Sequence, residues 1–219
     1  MNEPLLKLTL LAAHAQSGVT DRGRLERRAR LLAHGGNAWH VIEFAVALTA
    51  GIAAGSIALI AFGADSLVEL LAGSTIVWLF TSNRGSSAQA ERRAQQLVAS
   101  SFFILAAYVT AESIRDLAEG HRPSASWVGV GLAAFTAPTM PLLARAKRRV
   151  GHALGSSATV SEASQNQLCA YLSVALLAGL LLNAVWGLWW ADPAAALVIA
   201  AVAVKEGRDS WQGSSCDCC

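Results

Sequence analysis

Charge is scarce in this chain: Asp, Glu, Lys and Arg make up 15% of its 219 residues, where a soluble domain carries about 25%. With 54% hydrophobic residues and a mean hydropathy of +0.43, that shortage excludes an ordinary soluble fold and points to an integral membrane protein. Also missing is the strict apolar–polar alternation of a membrane β-barrel, so the spanning elements are expected to be helices. No Ser/His pair and no His-x-x-Glu-His spacing occurs inside the apolar stretches, which leaves a membrane-embedded enzyme without candidates. A net charge of +2 goes with no nucleic-acid partner. The apolar start at 5–13 lacks the basic lead of a signal peptide, since Glu3 precedes Lys7 and a basic run follows. It reads as an unstructured cytosolic tail, with an interfacial helix as the alternative.

What is present is a set of apolar runs. A spanning helix needs about 20 apolar residues. Six stretches fit, at 39–55, 56–80, 97–117, 127–144, 168–190 and 193–204, the last borrowing its flanks. Fifteen of the seventeen Lys and Arg residues precede the first span, lie between spans two and three or four and five, or follow the sixth. Only Arg115 and Arg122 fall on the other side, so the positive-inside rule places both termini in the cytoplasm. The expected organisation is a basic tail at 1–36, a six-helix domain at 37–207 and a short Cys-rich tail at 208–219. Spans one and two meet in the uncharged turn Gly51-Ile52-Ala53-Ala54-Gly55, whose glycines allow close approach. The segment 145–164 reads as a basic cluster joined to a flexible Gly/Ser-rich linker. Trp186, Trp189 and Trp190 read as an interfacial belt rather than a binding cage.

The few charges inside apolar runs carry the functional signal. Asp65 and Glu69 lie in the second span, where an ionised group is costly and usually lines a cavity or pathway. Spaced i and i+4, they share a helical face about 6 Å apart along the axis. Two carboxylates one turn apart repel unless a cation sits between them; otherwise one is protonated and bonded to a neighbour such as Ser66 or Thr75. Glu162, Gln165 and Cys169 share a face at the start of the fifth span. They form either a ligand set or a solvated first turn with a thiol packed as a small hydrophobe. Opposite Asp65 and Glu69, Cys169 with Glu162 or Gln165 completes four mixed oxygen and sulfur ligands. Such a set suits Zn2+, with Co2+, Cd2+ or Fe2+ as alternatives.

Lesser candidates are His40 and Glu43, which read as an access vestibule or a simple interfacial pair. Cys216, Cys218 and Cys219 could capture a soft cation on the reducing cytosolic side, or belong to a plain tail. Glu112, Arg115 and Asp116 read as an outer-rim ion pair, and Asn183 as an interhelical hydrogen bond. No prosthetic group is expected.

Residues 56–69, SIALIAFGADSLVE, resemble the second-helix signature of the cation diffusion facilitator family, where a Ser-x-Ala-Leu run leads into His/Asp-x-x-x-Asp. Laid over this chain, that metal-binding pair falls on Asp65 and Glu69. Residues 186–199, WGLWWADPAAALVI, are similar to the Trp-rich end of the family's fifth helix and the Asp-Pro before its sixth. The family's second pair falls on Gln165 and Cys169, where His and Asp are usual; a one-residue gap would move it to Asn166 and Ala170. The closest resemblance is to the branch without a cytoplasmic C-terminal domain. It implies an all-α, six-helix transporter that exports a divalent transition metal, zinc first, in exchange for protons. A homodimer in a bacterial inner membrane is the expected setting. The alternative is a non-transporting membrane scaffold or metal-binding regulator with the same fold, favoured by the substitutions in the fifth helix.

Overall fold

The computed structural model describes residues 3–81 and 88–212. These form six helices: α1 (Glu3–Ala54), α2 (Ile57–Thr81), α3 (Ala88–Glu119), α4 (Trp127–Leu154), α5 (Ser157–Trp186) and α6 (Ala191–Gln212). No strand occurs among the described residues. The stretches Arg22–Ala54, Ile57–Ser74, Trp127–Leu154 and Glu162–Trp186 are long and apolar enough to cross a membrane. Ile52, Leu97, Ile104, Trp127, Leu142 and Trp186 stand on the outer surface, an apolar rim that water would not tolerate and lipid would cover.

Helices α1, α2, α4 and α5 make a four-helix group, and α3 and α6 pack together beside α2. α2 therefore touches α1, α3, α5 and α6. Its apolar window is 67% buried, against 22–39% for the other three spans, so the polar groups of α2 must find their partners inside the protein. Phe62, Leu59, Leu176, Leu180, Met140 and Ile199 fill the space between the layers.

Two hairpins in the four-helix group are built from one local design, offset by 100 residues. Gly51, Gly55 and Ser56 turn α1 into α2, and Gly151, Gly155 and Ser156 turn α4 into α5. In each, the serine amide donates to the first glycine's carbonyl at 3.0 Å. The serine hydroxyl then accepts an amide three residues on, from Leu59 at 3.1 Å and from Thr159 at 3.3 Å. Gly55 and Gly155 have φ of 65° and 66°, the left-handed conformation that closes a helix end. A Cβ on Gly51 would come within 2.8 Å of Ile60 Cγ1, and one on Gly151 within 2.8 Å of Val160 Cγ2, so both helix pairs require glycine to close. The repeat sets Asp65 and Glu69 of α2 in register with Gln165 and Cys169 of α5.

The structure changes three expectations. Residues 5–13, expected as an unstructured tail, lie within α1, which runs without a break from Glu3 to Ala54. No proline interrupts the chain between Pro4 and Pro123, and Ala29 and Ala33 are buried against the bundle. The flexible linker expected within 145–164 is a tight turn: α4 runs to Leu154, and Ser156 caps α5 at once. Asn183 does not bond another helix. Its Nδ2 donates to the Pro123 carbonyl at 2.9 Å, tying α5 to the α3–α4 loop.

Candidate metal centre

The α2 face bearing Asp65 and Glu69 turns inward, and both side chains are buried. Cys169 of α5 meets them: one ligand atom from each of Asp65, Glu69 and Cys169 lies within 4.8 Å of the others. The pairing follows from the hairpin repeat, which brings matching levels of α2 and α5 side by side. Gln165, one turn before Cys169, joins Asp65 and Glu69 in the lining of a narrow cavity completed by Phe102, Leu172 and Glu206. The Gln165 Oε1 is buried without a hydrogen-bond partner. Asp65 and Glu69 thus meet a thiol on one side and share a narrow cavity with an unmet amide oxygen, a donor set rich in negative charge whose one close cationic neighbour is His40 beside Glu69. That arrangement suits a divalent cation with mixed oxygen and sulfur preference.

Glu162 is not brought into this group. Its Oε1 accepts from Lys147 Nζ of α4 at 2.6 Å, and both side chains are buried. A carboxylate already paired with an ammonium is a poor ligand. The pair packs on glycines of α1 and α2: a Cβ on Gly36 would meet Lys147 Nζ at 3.0 Å, and one on Gly73 would meet Glu162 Oε1 at 3.0 Å. Lys147 and Glu162 therefore tie α4 to α5 between the α4–α5 turn and the level of Gln165 and Cys169.

His40 and Glu43 lie in the bundle interior at the level of Glu69, not at an interfacial edge. The His40 Nδ1 is 3.3 Å from Glu43 Oε2 and 3.2 Å from Glu69 Oε2. One ligand atom each from His40, Glu43 and Glu69 again lies within 4.8 Å of the others. Glu43 Oε1 accepts from Thr136 Oγ1 at 2.6 Å and its Oε2 from Ser66 Oγ at 3.0 Å. Cys216, Cys218 and Cys219 lie outside the described residues.

Two participants, Thr136 and Glu206, were not foreseen, and a third, Asn166, entered the sequence reading only as the alternative register of the second pair. Asn166 donates from Nδ2 to Glu69 Oε1 at 3.1 Å and meets His40 Nε2 at 3.2 Å. Thr136 fixes Glu43 from α4, and Glu206 reaches the Asp65 cavity from α6. The repeated Gly-x-x-x-Gly-Ser motif, by aligning 65–69 with 165–169, was the signal that could have drawn attention to the Asn166 turn. On the outer side, Arg115 pairs with Glu112 at 3.5 Å and Glu119 at 3.1 Å on an exposed helix end, away from the centre. Asp192 is buried at the start of α6, where it accepts from Ser56 Oγ at 2.5 Å and from the Ala58 amide at 3.2 Å, capping α2.

A six-helix, apolar-surfaced bundle with acids and a thiol facing one another at its centre defines a multi-pass membrane protein that handles cations. Residues 39–211 match the family of cation efflux transmembrane domains, and the chain belongs to that family. It is accordingly an integral membrane protein of a class that transports divalent cations and carries no prosthetic group. A comparison with curated proteins finds no match.

Proposed function

We propose that this protein exports a divalent transition metal, zinc first, from the cytoplasm, and that Asp65, Glu69 and Cys169 bind the ion with Gln165 as a further ligand. One observation carries the reading: the acids of α2 and the thiol of α5 share a buried space within 4.8 Å, with no cationic side chain bonded to Asp65 or Cys169 among the described residues. Cations enter such a site as protons leave it, because carboxylic acid and thiol ligands bind metal only when deprotonated. Exchange of metal for protons through the same side chains follows without a separate proton path. Alternating exposure of the centre would come from one hairpin rocking against the other, in keeping with their repeated design. Glu162, held by Lys147, acts in this reading as part of the tie between α4 and α5 and not as a ligand.

The basic residues that flank the helices favour both termini on the cytoplasmic side of a plasma membrane, with 37–207 as the membrane domain. A homodimer and capture of metal by Cys216, Cys218 and Cys219 belong to the same proposal.

The site is tested with Co2+ on the purified full-length chain whose three tail cysteines are replaced by Ser. A near-ultraviolet thiolate-to-cobalt band should form on titration and vanish in Cys169→Ser. A wild-type site that binds Co2+ with no thiolate band removes Cys169 from the assignment.

A further inference from the structure

Glu69 faces two ways. One side meets Asp65 and Cys169; the other meets His40 and Glu43 of α1. We propose that His40, Glu43 and Glu69 form a second position for a divalent cation, distinct from the Asp65–Cys169 side and sharing Glu69 with it. As a step on the ion's path it rests on the transport reading above; as a binding position it stands on its own geometry.

The donor set is an imidazole nitrogen and two carboxylate oxygens, the borderline-to-hard combination that holds Mn2+, Fe2+, Co2+ or Zn2+. The carboxylates are held by neutral groups: Thr136 and Ser66 hydroxyls on Glu43, and the Asn166 amide on Glu69. Such outer contacts orient ligand oxygens without cancelling their charge. Among the described residues no Lys or Arg forms an ion pair with either carboxylate; His40 is their close cationic neighbour, and Lys147, bonded to Glu162, acts on Glu69 only through space. A single ring N–H between two carboxylates cannot satisfy both. Accordingly, Glu69 Oε2 lies 3.2 Å from His40 Nδ1 yet makes no hydrogen bond of acceptable geometry, and Asn166 Oδ1 is buried without a partner. Unmet buried acceptors around converging acids are costly in a dry interior, and a cation removes that cost.

The neighbouring site differs in softness, since it offers a thiol where this one offers an imidazole. An ion passing between them would keep Glu69 as a ligand while exchanging Cys169 and Asp65 for His40 and Glu43. Continuous ligation of that kind avoids a fully unligated ion in a low-dielectric interior.

The test uses full-length protein with the tail cysteines replaced by Ser and with Asp65→Asn and Cys169→Ser, so that the first site is disabled while Glu69 remains. Co2+ should still bind, at one ion per chain, with visible d–d bands and no thiolate band. Adding His40→Gln or Glu43→Gln should weaken that binding by at least about tenfold. Glu43→Gln keeps the size of the side chain and one oxygen acceptor, for Thr136 or Ser66, while the other hydroxyl can turn to accept from the amide N–H, so it decides the matter if His40→Gln does not elute as a monodisperse species. Loss of all Co2+ binding in the Asp65→Asn/Cys169→Ser protein overturns the proposal, as does binding that both added variants leave unchanged. Failure of the transport-site reading looks different: the thiolate band is then absent from the protein with Asp65 and Cys169 intact, while the His40-dependent d–d bands persist.

Discussion

Lys147 and Glu162 show how a residue's neighbours decide its role. Glu162 shares a helical face with Gln165 and Cys169, which made it a reasonable ligand, but the pairing that claims it runs across the α4–α5 turn to a buried lysine of the basic cluster in α4. Removing one partner of a buried ion pair strands the other charge. Lys147→Met or Glu162→Gln alone should therefore lower stability by about 3–5 kcal/mol in detergent unfolding, and Lys147→Met/Glu162→Leu should recover much of the loss. Asp65 and Glu69 were legible from sequence because a charge inside an apolar run has few explanations. The contact of His40 with Glu69 was not, since nothing local says that residue 40 of α1 meets residue 69 of α2. Cys169, standing where Asp is usual in the resembling family, should soften the site: thiolate ligands favour Cd2+ over harder ions. Cys169→Asp is expected to lower the Cd2+-to-Zn2+ affinity ratio, measured by competition titration.

At the scale of elements, the hairpin turns set the level at which α2 and α5 meet. Hydropathy marked the α1–α2 turn correctly because its flanks are apolar on both sides. It missed the start of α5, since Ser157, Ser161, Glu162, Ser164, Gln165 and Asn166 resemble a linker when read in one dimension. Folded, Glu162, Gln165 and Asn166 are buried, because α5 packs on α4, α2 and α6. The Gly151 contact is the clearest test of that packing. A side chain there meets Val160 backbone at 3.1 Å, so Gly151→Val should cost about 1–3 kcal/mol by overpacking and weaken metal binding at Cys169 along with it. Gly131 of α4 has nothing within 4 Å of an added Cβ, and Gly131→Ala should be neutral or stabilise by up to about 1 kcal/mol. Thermal unfolding of both variants in one detergent measures the contrast.

For the whole molecule, the number of helices and their apolar character were readable from composition and run length, whereas their arrangement was not. The grouping of α1, α2, α4 and α5 with α3 and α6 alongside depends on glycine contacts and buried polar pairs that hydropathy does not register. Orientation is a matter of charge placement. Arg122→Cys should react with a membrane-impermeant maleimide from outside intact cells, and Arg149→Cys only after permeabilisation; the reverse pattern inverts the topology. The measurement that bears most directly on function is zinc flux into proteoliposomes carrying a trapped indicator, with wild-type protein and Asp65→Asn compared at equal incorporation. Wild type should move zinc down its gradient and carry protons the other way, while Asp65→Asn falls by at least about tenfold. Equal flux through the two proteins, or zinc that binds wild type without ever crossing, would contradict a cation path through the acids of α2.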